Sequence, residues 1–504
     1  MRGSRQVKEV GGRLLGELST DRSSEVPLHT QIYAQVREMI LVGHLAGGVR
    51  LPSTRTLATD LGVSRITVVN AYEDLTAEGF LRSRAGDGTY VGDEWRSTTI
   101  AKPAPGRPVL STRSIAATSS RGSDLYRSAQ VSWNPEDPET FLPSQVGLDA
   151  FPWHVWKRLL SRHSGLLSGD LPGYGDPFGY GPLREAIADY LGDSRGLSVD
   201  ARQIVVCSGA QQALSALALL LVDSGDETWI EDPGHIAARR ALLANGCTVR
   251  GVPIDDEGAN LETAVASHGA ARLAFLTPSR QHPLGNSMPL SRRMDWINWA
   301  NTHNSWIIED DADGELRYRG TRPPTMFGLD RSQHVIHVGS FSKIMFPAVR
   351  VGYAVLPDDL AEPFSAAITV LGRTPSAILQ AVTADFLREG HMQSHIRRTR
   401  QLYQARQETL LECLDEKLFP FLSAGPMDVG MHVLGWLREG VNDQQLAAGL
   451  ADRGVYTYAL GDYYLGKPDR DPALLIGFAS TKVENIPAAV DHLVRALHHI
   501  GHRW

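Results

Sequence analysis

Residues His337–Tyr353 read HVGSFSKIMFPAVRVGY. The stretch opens as a short apolar strand and turns at Ser-Phe-Ser-Lys, which puts Lys343 in a turn with Ser340, Ser342 and, further along, Arg350. A lysine that carries a carbonyl cofactor as a Schiff base has to stand at the end of a rigid element, and hydroxyls and an arginine nearby suit a phosphate. Within this stretch alone, a solvated surface lysine is the competing reading.

The segments around it raise the chemical reading. Upstream, SGAQQAL (Ser208–Leu214) places small residues and backbone N–H groups at the start of a helix, where a phosphate can be cradled. In SWIIEDDADGE (Ser305–Glu315) a carboxylate, Asp310, follows a short apolar strand and is placed to pair with a pyridinium nitrogen. From Gln203 onward strand-like runs alternate with helical patterns, in the order RQIVVC, QQALSALALLLV, ETWIED, AARRALLANG, RLAFLTP, MDWINWANTH and SWIIEDD. That alternation predicts an α/β domain with a mainly parallel sheet covered on both faces. From about Gln380 long helical stretches precede the short strand candidates HVLGWL, GVYTYAL and ALLIGFAS and a closing helix, which predicts a small α+β subdomain.

The N-terminal part has a different pattern. Ile32, Val36, Met39 and Ile40 mark the inner face of one helix. LPSTRTLATDLG (Leu51–Gly62) then predicts a short helix capped by Ser53, with Leu57, Ala58 and Leu61 inward and Gly62 as the turn. Ser64 caps a third helix, with Ile66, Val69, Tyr72 and Leu75 expected inward and Arg65, Thr67 and Asn70 outward. LRSRAGDGTYV (Leu81–Val91) reads as a hairpin with Arg82 and Arg84 on one arm. Two short helices joined at a glycine turn, followed by a hairpin, describe a winged helix-turn-helix; a protein-binding module is the alternative on mechanics alone.

At 504 residues the chain exceeds one ordinary core, and 42% hydrophobic with 21% charged residues is a globular composition. The expected division is a DNA-binding domain over 25–92, a Ser/Thr/Pro/Gly-rich flexible linker over 93–130 and a large domain over 131–504. A net charge of −7 excludes a protein that coats nucleic acid indiscriminately and confines any DNA contact to a local surface. Cys207, Cys247 and Cys413 lie far apart and in no metal-ligand spacing, so buried free thiols are expected and no metal site is assigned. No apolar run is long enough to span a bilayer and the start lacks a secretory signal, so a cytoplasmic location with no membrane partner is expected.

Pro27–Val91 resembles the GntR family along its whole length, in PLHTQIYAQVREMI, LPSTRTLATDLGVSRITVVNAYEDLTAEGFL and AGDGTYV. The resemblance implies that Arg55 and Arg65 contact phosphate or guanine, that Ser64 and Thr67 fix register, and that the wing near Gly88 reaches the minor groove. From about Phe141 onward, YGDPFGYGPLREAIADYL, EDPGH and TPSRQHPLG together with the Lys343 stretch resemble a fold-type I aminotransferase. The fusion resembles the MocR subfamily of GntR regulators. By that resemblance Lys343 holds pyridoxal 5′-phosphate (PLP) as a Schiff base and Asp310 holds its pyridine nitrogen. Arg350 and Ser340 bind its phosphate with Ala210 and Gln211, and the assembly is a head-to-tail homodimer.

Six positions depart from the enzyme pattern. His235 stands where an aromatic residue stacks on the pyridine ring, Ala312 replaces a tyrosine, and His282 takes the place of the asparagine that meets the phenolic oxygen. Leu474, Leu475 and Ile476 occupy the region where an arginine clamps the substrate carboxylate. The expectation is therefore a transcriptional regulator of double-stranded operator DNA, with no catalytic residue assigned, whose large domain senses PLP itself or an amine or amino-acid effector. An active aminotransferase carrying a DNA-binding domain is the alternative.

Overall fold

The computed structural model describes residues 18–24, 26–84, 86–93, 141–143, 145–164, 173–311 and 313–501. The chain divides into two compact units, Met1–Ile115 and Ala116–Trp504. Apart from Asp93, the expected linker lies outside the described residues.

In the first unit, α1 (Leu28–Leu41), α2 (Thr54–Asp60) and α3 (Arg65–Ala77) pack around Ile32, Val36, Met39, Ile40, Leu57, Val68 and Leu75. The hydroxyls of Ser53 and Ser64 each accept the backbone N–H three residues on, at 3.2 Å, so both short helices begin on a side-chain cap. Gly62 turns the chain between them at φ +61°. The inner face of α3 differs from the expected one. Val68, Ala71, Tyr72 and Leu75 are buried, whereas Val69 is only part-buried and Ile66 is 63% exposed. Positions 68, 71, 72 and 75 are the i, i+3, i+4, i+7 stripe of one face, and Ile66 lies well round the helix from it. The expectation took its phase from the apolar character of Ile66. Strands β1 (Leu81–Arg84) and β2 (Gly88–Val91) close the unit as an antiparallel hairpin, registered from Leu81↔Val91 to Arg84↔Gly88.

The second unit is built on an eight-stranded sheet of β3 (Ile204–Cys207), β4 (Glu227–Asp232), β5 (Thr248–Asp255), β6 (Gly258–Ala259), β7 (Leu273–Leu276), β8 (Trp306–Asp310), β9 (Val335–Ser340) and β10 (Gly352–Val355). Their spatial order is β3-β10-β9-β8-β7-β4-β5-β6. The run from β9 through β8, β7 and β4 to β5 is parallel, and β10 runs against both of its neighbours. β3, β7 and β10 are buried at every position, which explains why they read as continuous apolar runs rather than alternating ones. Helices α4 (Ala210–Leu221) and α5 (Ile236–Ala244) follow β3 and β4.

Long helix α6 (His391–Leu418) leads into an antiparallel sheet of β11 (Leu422–Ala424), β12 (His432–Leu437), β13 (Tyr458–Ala459) and β14 (Ala473–Gly477), ordered β11-β12-β14-β13 and closed by α7 (Ile486–Ile500). Leu410 and Leu414 of α6, Val490 and Leu493 of α7, and Val433 and Ile476 of the sheet share one core. This is the expected small subdomain, with β11 added. Cys207, Cys247 and Cys413 are buried free thiols. Among the described residues no helix is long and apolar enough to cross a membrane.

Candidate functional site

In an open α/β sheet the C-terminal ends of parallel strands converge on a crevice where ligands bind. Here β8 ends at Asp310 and β9 at Ser340, while β4 and β7 run on into the segments that carry His235 and Thr277–His282. Lys343 lies in the connection 341–351 that turns β9 back into β10. Asp310, Lys343, His235 and His282 line a single pocket together with Thr277, Arg280 and Asp313.

The charges in this pocket are arranged around Asp313. Its Oδ1 lies 3.0 Å from Lys343 Nζ and its Oδ2 3.1 Å from Arg280 Nη1. Burial alone would raise the Asp313 carboxyl, but the two cations outweigh it and hold the group well below the usual carboxylate range. Arg280 is itself pinned, donating from Nε to Val429 O at 2.9 Å and from Nη2 towards His432 Nδ1 at 3.3 Å. The same Nη2 lies 3.0 Å from His432 Nε2, and that nitrogen also faces Pro283 O at 3.2 Å. Burial, reinforced by the Arg280 charge, pushes His432 down to about 3.

His235 and His282 are neighbours, with ring centroids 5.4 Å apart, and burial lowers both below the ordinary histidine range. His235 Nδ1 accepts the Ala238 N–H at 3.2 Å and so caps α5. The segment carrying His282 is held by Glu231, the buried acid of β4: its Oε1 accepts the Thr277 N–H at 3.0 Å. Gln281 Nε2 adds a donation to Pro233 O at 2.8 Å, so both histidine-bearing segments are tied to one strand end.

Beside this pocket, Gly209 caps α4 at φ +94°, and the helix begins at Ala210 with its first N–H groups unpaired by the helix itself. A Cβ on Gly352 would stand 2.8 Å from Gly209 Cα, so the backbone approach requires glycine at 352, whereas position 209 requires it for its φ. Arg350 is exposed and adopts φ +48°, a left-handed conformation that costs a non-glycine residue about 1–3 kcal/mol. Ser340 Oγ accepts the Ser342 N–H at 3.3 Å. Gln211 sends its side chain to Ala237 O at 3.3 Å.

These residues fit PLP. His282 Nδ1 and Ser342 Oγ are buried without a hydrogen-bond partner, and an arginine, a helix N-terminus and a glycine-lined approach adjoin the lysine pocket. The sequence expectation for Ala312 falls outside the described residues. Leu474, Leu475 and Ile476 are fully buried in β14, paired with β12. Arg280 and Asp313 were missed, although a cation stands in TPSRQHPLG two positions before His282 and an acid in EDDADGE three positions after Asp310. What hid Asp313 is that neighbouring acids diverge: Asp311 pairs with buried Arg195 instead.

In the first unit Arg55 and Arg65 are exposed on α2 and at the start of α3. Ser64 Oγ and Thr67 Oγ1 lie 2.7 Å apart and bond each other at the cap. At the wing, the Gly88 backbone comes so close to the Arg50 guanidinium that a Cβ would stand 2.9 Å from Nε. Sequence reading did not single out Arg50 at the end of AGGVR.

Comparison with known proteins agrees with this architecture. Residues 28–91 match the model for bacterial regulatory proteins of the gntR family, and residues 149–493 that for aminotransferase class I and II. The chain is 37% identical to MocR of Rhizobium meliloti, described as a "probable rhizopine catabolism regulatory protein", over 94% of this chain and 95% of that one. It is 31% identical to the HTH-type pyridoxine biosynthesis transcriptional regulator PdxR of Corynebacterium glutamicum, over 90% and 92%. The crystal structure of the α-aminoadipate aminotransferase LysN of Thermus thermophilus aligns with TM-score 0.66 at 24% identity, covering 76% of this chain and 95% of that one, which shows the shared fold. With a GntR helix-turn-helix at one end, an aminotransferase fold at the other and relatives that match it nearly end to end, the chain belongs to the MocR-type transcriptional regulators of the GntR family.

Proposed function

We propose that the large domain binds PLP on Lys343 and that occupancy of this pocket, by PLP itself or by an amine, changes how the N-terminal domain holds its operator. The observation that carries this reading is the convergence of Lys343, Asp310, His235 and His282 on one pocket, beside an arginine-and-helix-end cradle. When bound, the cofactor supplies an aldehyde that captures a primary amine and an electron-withdrawing ring. Asp310 would hold the pyridine nitrogen, His282 Nδ1 would meet the phenolic oxygen and His235 would stack against the ring. Arg350, Ser340 and the N–H groups of Ala210 and Gln211 take the phosphate.

The effector is read from the pocket rather than from kinship, because the relatives' names span rhizopine catabolism and pyridoxine biosynthesis. Arg280 lines the same pocket as the lysine, and Asp313, Val429 O and His432 already engage it. With β14 wholly apolar as well, an amine lacking an α-carboxylate suits the site better than an ordinary amino acid. Arg55, Arg65, Ser64, Thr67 and the wing at Gly88 serve DNA, the working form is a head-to-tail homodimer, and the location is cytoplasmic. Domain limits of 25–92 and 131–504 with a linker over 93–130 accompany this reading.

Visible absorbance of the purified protein before and after borohydride reduction, followed by peptide mapping, tests the cofactor assignment. The expected result is a chromophore trapped on Lys343. A reducible adduct on another lysine, or none after PLP is added, would overturn it. Linkage then requires operator affinity to move with ligand, by about 5–150-fold for a coupling of ordinary size.

A further inference from the structure

Ile66 is an anomaly of the DNA-binding unit. It is 63% exposed in the first turn of α3, while the other large apolar residues of that helix are buried or part-buried. It stands directly after Arg65, and Asn70, also exposed, lies four residues on. Residues i and i+4 are neighbours on a helix surface, so the first turns of α3 present an arginine, an isoleucine side chain and an amide to whatever the helix enters.

In a helix-turn-helix the N-terminal residues of the second helix meet base edges in the major groove. The one apolar group displayed there is the thymine C5-methyl, and an adenine offers its N6 and N7 to an asparagine amide. We propose that Ile66 reads a thymine methyl in each half-site and that Asn70 takes an adenine at the same or the adjoining base pair, beside the phosphate or guanine taken by Arg65. An apolar side chain left in water on an otherwise polar helix end is then complementary to a methyl buried on docking. The inference rests on the helix-turn-helix assignment and, for the number of half-sites, on the proposed dimer; it is independent of the cofactor reading.

The test replaces thymine by deoxyuridine, which deletes the methyl and leaves base pairing intact. An operator is selected from random duplexes with the full-length chain, each thymine is replaced in turn, and binding of the parent and of Ile66→Ala is measured against non-specific competitor. The expected result is one position per half-site where the parent loses about fourfold in affinity for each methyl removed. Ile66→Ala should bind the thymine operator more weakly and be indifferent to deoxyuridine at that position. Replacing Asn70 by Ala should relax selection for adenine nearby without abolishing the methyl effect. If no position is methyl-sensitive, if Ile66→Ala retains the parent's deoxyuridine sensitivity, or if its operator affinity is unchanged, the assignment is overturned. An equal fall on operator and competitor DNA would also overturn it, because that reports a general loss of binding.

Discussion

Lys343 Nζ is held by the Asp313 carboxylate, and the two positions predict different losses. Lys343→Ala should leave the fold intact while abolishing any reducible covalent PLP adduct, read by absorbance and peptide mapping. Asp313 is a harsher position, because its removal strands the buried Arg280 guanidinium without its counter-charge. Breaking a buried pair from one side costs on the order of 3–5 kcal/mol, and Asp313 is 11% exposed at its side chain, so Asp313→Ala should destabilise the large unit by about 3 kcal/mol in denaturant titration. Arg280→Met in the same chain should recover part of that loss; no recovery would show that the pair is not what Asp313 supports. At the DNA surface, Arg65→Ala should weaken specific operator binding by about 1–3 kcal/mol if it touches a base edge.

At the level of elements, the caps and strand ends decide how these side chains are presented. Ser64 starts α3 by accepting the Thr67 N–H, so Ser64→Ala should lower the stability of the DNA-binding unit by about 1 kcal/mol, seen as an earlier denaturant midpoint. Much at this scale was legible in the sequence. Ser53 and Ser64 as caps, the Gly62 turn, the wing, the strand that ends at Asp310 and the helix that begins at Ala210 all stand where local patterning places them. Three things were not legible. Ile66 misled because hydrophobicity was taken as inwardness, a rule that fails where an apolar group serves a surface. Asp313 and Arg280 are brought together by the loops after β7 and β8, and no periodicity records a contact between loops. The third is Arg50, which meets the wing through a donation to Asp87 O, a backbone bridge to Tyr90 and the close approach at Gly88, none of which a local pattern records.

For the whole molecule, the buried histidines make an acid-sensitive centre. His432 titrates at about 3 in the folded chain and near 6.5 once exposed, so between those values the unfolded chain binds a proton that the folded chain refuses. Stability from this group is present above pH 6.5 and is lost as pH falls towards 3, at about 1.4 kcal/mol per pH unit. His432→Asn should flatten that slope by the same amount, measured as unfolding free energy across the window; an unchanged slope would remove His432 from the account. The arrangement of the two sheets has a separate consequence. Lys343 and Arg350 share the single connection from β9 to β10, whereas the positions where a substrate carboxylate clamp was expected lie on β14 in the other sheet. Substitutions on β14 can therefore accumulate without moving the connection that carries Lys343 and Arg350, so selection can act on the one and leave the other untouched.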